Sequence, residues 1–187
     1  LSSDAEERGY EEPDATLADV ANPTAFSGDS SLWNAYAVYK WAPDGNSRER
    51  NLKLQAEYFD RTEDGALGQE NATLGAGLAD YRSEQSGWYV QGVYQFIPNW
   101  RLGLRYDRLD AGSTRLAFRE GLLGAADFPT LEDYGPERST LMLDWSPSEF
   151  SRLRLQYARD QSAPGAADDQ VWLQYLMSLG AHGAHQF

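Results

Sequence analysis

From about Leu32 to the end of the chain, apolar residues recur at every second position, the period of a β-strand with one apolar face. Trp33, Ala35, Ala37, Tyr39 and Trp41 share one face of a first strand, about Leu32 to Trp41. A second, about Asn51 to Arg61, sets Leu52, Leu54, Ala56 and Tyr58 against Lys53, Gln55, Glu57 and Arg61. The same alternation predicts strands at about Gly87–Ile97, Trp100–Arg108, Ser139–Trp145 and Ser151–Arg159. It returns in "QVWLQYLMSLGAHGAHQF" (170–187), where Val171, Leu173, Tyr175, Met177 and Leu179 alternate with residues that include Gln170, Gln174 and Ser178. No helix-period segment of useful length competes with these strands.

The connections add topology. "APDGNSRER" (42–50), "IPNW" (97–100) and "SPSEF" (146–150) are short and rich in turn residues. Those at roughly 62–86, 109–138 and 160–169 are long and polar. Strict alternation of short and long connections is the signature of an up-and-down barrel in an outer membrane, with tight periplasmic turns and extended external loops. The expected fold is all-β: an antiparallel up-and-down transmembrane β-barrel with about seven or eight strands visible, part of a larger barrel. Residues 1–30 read as an acidic external loop or linker and 31–187 as the C-terminal part of the barrel. Pro13 and Pro23 argue against an additional strand near 14–28.

Alternation alone does not say which face meets water, because a soluble sandwich has the same pattern. Aromatic placement favours lipid. Trp41, Tyr58, Phe96, Tyr106, Trp145 and Tyr157 stand at strand ends on the apolar face, and Phe187 ends the chain. Tyr and Trp prefer the headgroup zone, where a ring meets acyl chain and a polar tip meets water. The opposite face carries long ionic side chains, which suit a wet lumen. The basic ones are Lys40, Lys53, Arg61, Arg101, Arg105, Arg152 and Arg154; the acidic ones are Glu57, Asp107 and Asp144. This bias suggests a wall that favours anions beneath an acidic mouth that concentrates cations.

Composition then narrows the classes. Mean hydropathy is -0.63 and no long apolar run exists, which excludes a transmembrane helix but not barrel strands. A net charge of -13 argues against a nucleic-acid partner. Cysteine is absent, so disulfides and thiolate chemistry are excluded.

Candidate chemistry is sparse, and no catalytic residue, metal site or cofactor is expected. There is no nucleophile elbow and no phosphate-binding glycine loop. His182 and His185 lie three apart, which on a strand puts them on opposite faces and makes them poor chelators of one ion. "DRTEDGALGQEN" (60–71) approaches a calcium loop but has Thr62 third and Asn71 twelfth, so it reads as a solvated loop.

Several stretches resemble a bacterial family: "FSGDSSLW", "YKWAPDGNSRERNLKLQAEYFDRTEDG", "SGWYVQGVYQFIPNWRLGLRYDRLD", "LMLDWSPSEFSRLRLQYARDQS" and "QYLMSLGAHGAH". They look like porin-like outer-membrane barrels often labelled zinc-regulated or TonB-dependent receptors, and the similarity covers most of residues 26–187. It implies the outer membrane of a Gram-negative bacterium, a non-enzymatic transport role for small solutes or ions connected with zinc supply, and insertion by the barrel assembly machinery through the C-terminal strand. No TonB box or plug domain is visible within these residues, the loops are acidic but lack His, and no functional residue is carried over. Two other readings compete: a soluble β-sheet protein that binds a ligand, and an outer-membrane barrel enzyme.

Overall fold

A computed structural model describes residues 2–14, 17, 20–131 and 134–178. The protein is all-β, with one antiparallel sheet of eight strands, each hydrogen-bonded to its neighbours in sequence. The strands are β1 (Ser2–Pro13), β2 (Ala21–Trp41), β3 (Asn51–Asn71), β4 (Gly75–Ile97), β5 (Trp100–Glu120), β6 (Glu137–Ser148), β7 (Ser151–Gln161) and β8 (Asp168–Met177). The chain divides into two compact units. The first comprises Leu1–Ala35, Tyr58–Trp88 and Arg108–Pro136; the second comprises Tyr36–Glu57, Tyr89–Asp107 and Glu137–Phe187.

All seven expected strands are present, but four run well past their apolar stretch. Among the described residues, the connections read as loops at 62–86 and 109–138 are strand apart from 72–74, 121–131 and 134–136. The calcium-like segment 60–71 is therefore the extended second half of β3, a backbone that cannot wrap an ion. Most of the segment read as an acidic loop at 1–30 is likewise strand: β1 pairs with the first half of β2, from Ser2 opposite Ser31 to Pro13 opposite Ala21. Pro13 ends β1 and Pro23 sits near the start of β2, where a missing N–H costs little. A bulge between Ala5 and Arg8 lies opposite Gly28. A side chain at Gly28 would meet Gly65 Cα at 2.5 Å, so these backbones approach within a distance only glycine permits.

The extensions form because the first unit has a core of its own. Phe26, Leu67, Tyr81, Leu123 and Phe128 are buried together, with Tyr10, Leu74, Leu116 and Leu131 packed against them. Leu123 and Phe128 come from the 121–136 connection, whose two single 3-10 turns (Ala125–Asp127 and Pro129–Leu131) fold it into the first unit. Buried polar groups tie it down. The Gln69 amide donates to the Asp127 carbonyl at 2.9 Å, and the Thr130 N–H and hydroxyl both donate to the Glu12 carboxylate.

Candidate functional site

The second unit is built the other way round. Strand register stacks three outward rows: Leu141, Tyr157 and Val171; Leu143, Leu155 and Leu173; Trp145, Leu153 and Tyr175. Nearly all of these side chains are exposed. One residue along, on the other face, Asp144 stands opposite Arg154, which stands opposite Gln174. Asp144 is 2% exposed while Leu155 is 49% exposed. β3 and β5 repeat the inversion, with Leu54, Tyr58, Leu102 and Leu104 exposed and Lys53, Glu57, Arg101 and Arg105 partly covered. Here the polar face is the covered one.

The structure places the ten candidate lumen residues on covered or partly covered faces, except Lys40, which is exposed. It also shows that three of the arginines are paired with acids. Arg154 grips Asp144 with two parallel bonds, Nε to Oδ1 at 2.7 Å and Nη2 to Oδ2 at 2.8 Å. Arg105 donates to Asp107 at 2.8 and 3.0 Å and lies 3.8 Å over the Tyr89 ring. Arg61 bonds Glu63 at 2.5 Å. No ion pair is seen at Lys40, Lys53, Arg101 or Arg152 among the described residues, and Arg152 Nε is buried without a hydrogen-bond partner. All four lie within four residues of a short turn. There, Lys40, Arg48 and Arg101 join Gln95, Glu49 and Glu149 in lining an open, polar cavity of about 1080 Å³. Gln95 is buried and holds this end together, donating to the Arg48 carbonyl at 2.6 Å and accepting from Arg101 at 3.2 Å.

The expected aromatic positions are exposed at Trp41, Tyr58, Phe96, Trp145 and Tyr157 and partly covered at Tyr106. Trp100 stacks on Trp145 at 6.0 Å, and Trp33 meets Tyr58 edge-on at 6.0 Å. Two tyrosines end in carboxylates: Tyr106 donates to Glu137 at 2.6 Å and Tyr157 to Asp169 at 2.7 Å. Each thus pairs an apolar ring with a fixed polar tip. Leu179, His182, His185 and Phe187 lie outside the described residues.

Sequence reasoning missed the hub of the first unit. Glu63 is 3% exposed and takes bonds from Arg8 at 2.7 Å, Ser30 at 3.2 Å and Tyr81 at 3.3 Å, besides Arg61. Burial alone would raise its pKa. The Arg8 hydrogen bond and the nearby positive charges of Arg61 and Arg8 outweigh burial and hold the carboxyl below its ordinary value. Burial instead pushes the Tyr10 and Tyr81 hydroxyls up. The only signal for the hub in the sequence was an alternation of polar types, Arg61–Glu63, that continued past the apolar stretch. Among the described residues no group of three or more His, Cys, Asp or Glu side chains could hold a metal ion.

No family model matches the chain and no solved structure is similar to it. An uncharacterized protein of Aquifex aeolicus (strain VF5) is 27% identical over 176 residues, 91% of this chain. The chain spans 34% of the length of that relative.

Proposed function

We propose that the chain is part of an outer-membrane β-barrel of a Gram-negative bacterium, a porin-like channel or receptor through which small solutes or ions pass. One observation carries the reading: on the strands of the second unit the apolar face is exposed and the ionic face is covered. In water that arrangement leaves large apolar side chains such as Leu155, Leu173 and Tyr175 without a partner, at a cost of roughly 25 cal/mol per Å². In hydrocarbon the same side chains are at home, and the Tyr and Trp residues near the strand ends match headgroup depth. The covered face, with its carboxylates, guanidinium groups and amides, suits a wet lumen. A link to zinc rests on the sequence resemblance alone.

The ion pairs refine where selectivity arises. Arg105 and Arg154 are each balanced by an acid, and Arg61 shares Glu63 with Arg8, so a preference for anions falls mainly to Lys40, Lys53, Arg101 and Arg152 near the short turns. The test is fractionation followed by planar-bilayer recording. The protein should partition with the outer membrane, require detergent, and change gel mobility on heating. A folded monomer in detergent-free buffer would overturn the membrane reading. In the bilayer, Lys40→Gln with Arg101→Gln should lower anion preference more than Arg105→Ala does.

A further inference from the structure

On the polar face of β6 to β8, arginines meet acids until the short turns are reached. Arg138 pairs with Asp160 at 3.4 Å and Arg154 with Asp144 at 2.7 Å, each across the β6–β7 ladder. Arg152, the arginine of that face nearest the turn, breaks the series. Gln174 stands opposite Arg154 on β8, but opposite Arg152 stands Leu176, whose side chain accepts no hydrogen bond. Arg152 Nε is buried without a hydrogen-bond partner. A guanidinium N–H left unsatisfied in a sheet that satisfies its neighbours marks a missing acceptor.

Arg152 lines a polar cavity of about 480 Å³ where β6 and β8 end and β7 begins, with Arg101, Ser148, Ser151 and Glu149 also on its wall. Gln95 holds Arg101 in place by its Nε at 3.2 Å. The Ser148 and Ser151 hydroxyls lie 2.9 Å apart, so one proton is shared between them and the other is left to donate. Arg101 and Glu149 also line the larger cavity around Gln95, which adds Lys40, Arg48 and Glu49. Four cations thus stand against two carboxylates, a local excess of positive charge in a chain of net charge -13. We propose that the smaller cavity binds a phosphate-class oxyanion, inorganic phosphate or a phosphomonoester, held by Arg101 and Arg152 and completed by the Ser148–Ser151 hydroxyl pair. A carboxylate brings one charge and two oxygens, which a single guanidinium fork consumes. A phosphomonoester brings nearly two charges and three acceptor oxygens, enough for two forks and a hydroxyl. Free phosphate and a lipid headgroup share this chemistry. The Trp100–Trp145 stack beside these strand ends gives a headgroup a matching depth on the channel reading, whereas free phosphate needs no membrane.

The test is arginine labelling with phenylglyoxal in the full-length protein, purified in nonionic detergent, stripped of lipid and read peptide by peptide in a mass spectrometer. Inorganic phosphate should slow the labelling of Arg101 and Arg152 several-fold and leave the exposed Arg119 of the first unit unchanged. Chloride at equal ionic strength should protect neither. In titration calorimetry, Arg101→Gln and Arg152→Gln should each weaken phosphate binding about tenfold or more, the worth of one charged hydrogen bond, while Arg119→Gln should not. Should either variant fail to fold, labelling of the unsubstituted protein still decides. The two sources separate by reconstitution. Protection by inorganic phosphate assigns the free ion; protection only in phosphatidylcholine vesicles that contain phosphatidic acid, and not in phosphatidylcholine alone, assigns a headgroup. Three results overturn the site: no protection from either source, equal protection by chloride, or phosphate affinity unchanged by both substitutions. A protein that proves soluble and is still protected by inorganic phosphate keeps the site and loses the channel, so the two can fail separately.

Discussion

The two units of the chain solve opposite solvent problems with the same strands. In the first, Phe26, Leu67, Tyr81, Leu123 and Phe128 face inward and the outer surface is charged, with Arg119 paired to Asp80 and Arg82 to Asp64. In the second, Asp144, Gln95 and Arg154 face inward while Leu155, Leu173 and Val171 face out. β2 to β5 pass through both units, so one strand changes its polarity rule partway along. The difference teaches that periodicity specifies the strand, while the residues filling each face specify its surroundings.

The sharpest way to break the comparison is to make equal changes in both units. Phe26→Ala removes the centre of the first core, including its 5.5 Å edge-on contact with Tyr81, and should cost about 3–5 kcal/mol in thermal or denaturant unfolding. Leu155→Arg should cost about 2–4 kcal/mol in lipid and block assembly in vesicles. In water an exposed leucine would accept arginine with little change, so a neutral result would undo the contrast. Next comes Arg154→Ala, which leaves the buried Asp144 carboxylate without its two bonds. A loss of roughly 1–3 kcal/mol is expected, with Arg154→Lys recovering only part of it, because an ammonium lacks the planar fork.

The Glu63 hub sharpens the comparison through pH. Its carboxyl is held below the ordinary value by Arg8 and Arg61, so its stabilisation is fully present above the unfolded carboxyl pKa. That stabilisation disappears as pH falls through the lowered folded value. Acid titration should therefore loosen the first unit, seen as faster amide exchange at Ser30 and Tyr81, and Glu63→Gln should flatten the profile. The smallest effect is expected at Tyr157→Phe, which deletes one exposed bond to Asp169. About 0.5–1 kcal/mol or less should be lost in detergent melting.

Much of the second unit was legible in the sequence because each strand segment within it keeps to one rule. Leu153, Leu155 and Tyr157 against Arg152, Arg154 and Gln156 already state the face assignment, and the short turns state the topology. The first unit was illegible for a physical reason. Its strands mix types on the inner face, with Phe26 beside Thr24 and Leu67 beside Gln69, so a hydrophobicity count sees only polar loop. What holds them is long-range: an ionic hub, hydrogen bonds from Gln69 and Glu12, and a core completed by Leu123 and Phe128 from a distant connection. Charge pairing was equally hidden. Arginines of the polar face could be counted from the sequence, but only register shows that Asp144 faces Arg154 and cancels it.

The bond between Glu12 and Thr130 has a kinetic consequence. Its partners are separated by 118 positions, so their meeting closes a loop that holds β2 to β5, and the entropy of that closure opposes its early formation. The connection that carries Thr130 is therefore expected to settle on the first unit late. Its closure is then a late event in assembly, and protease sensitivity at Leu122, a largely exposed leucine within it, would serve as a clock for completed folding.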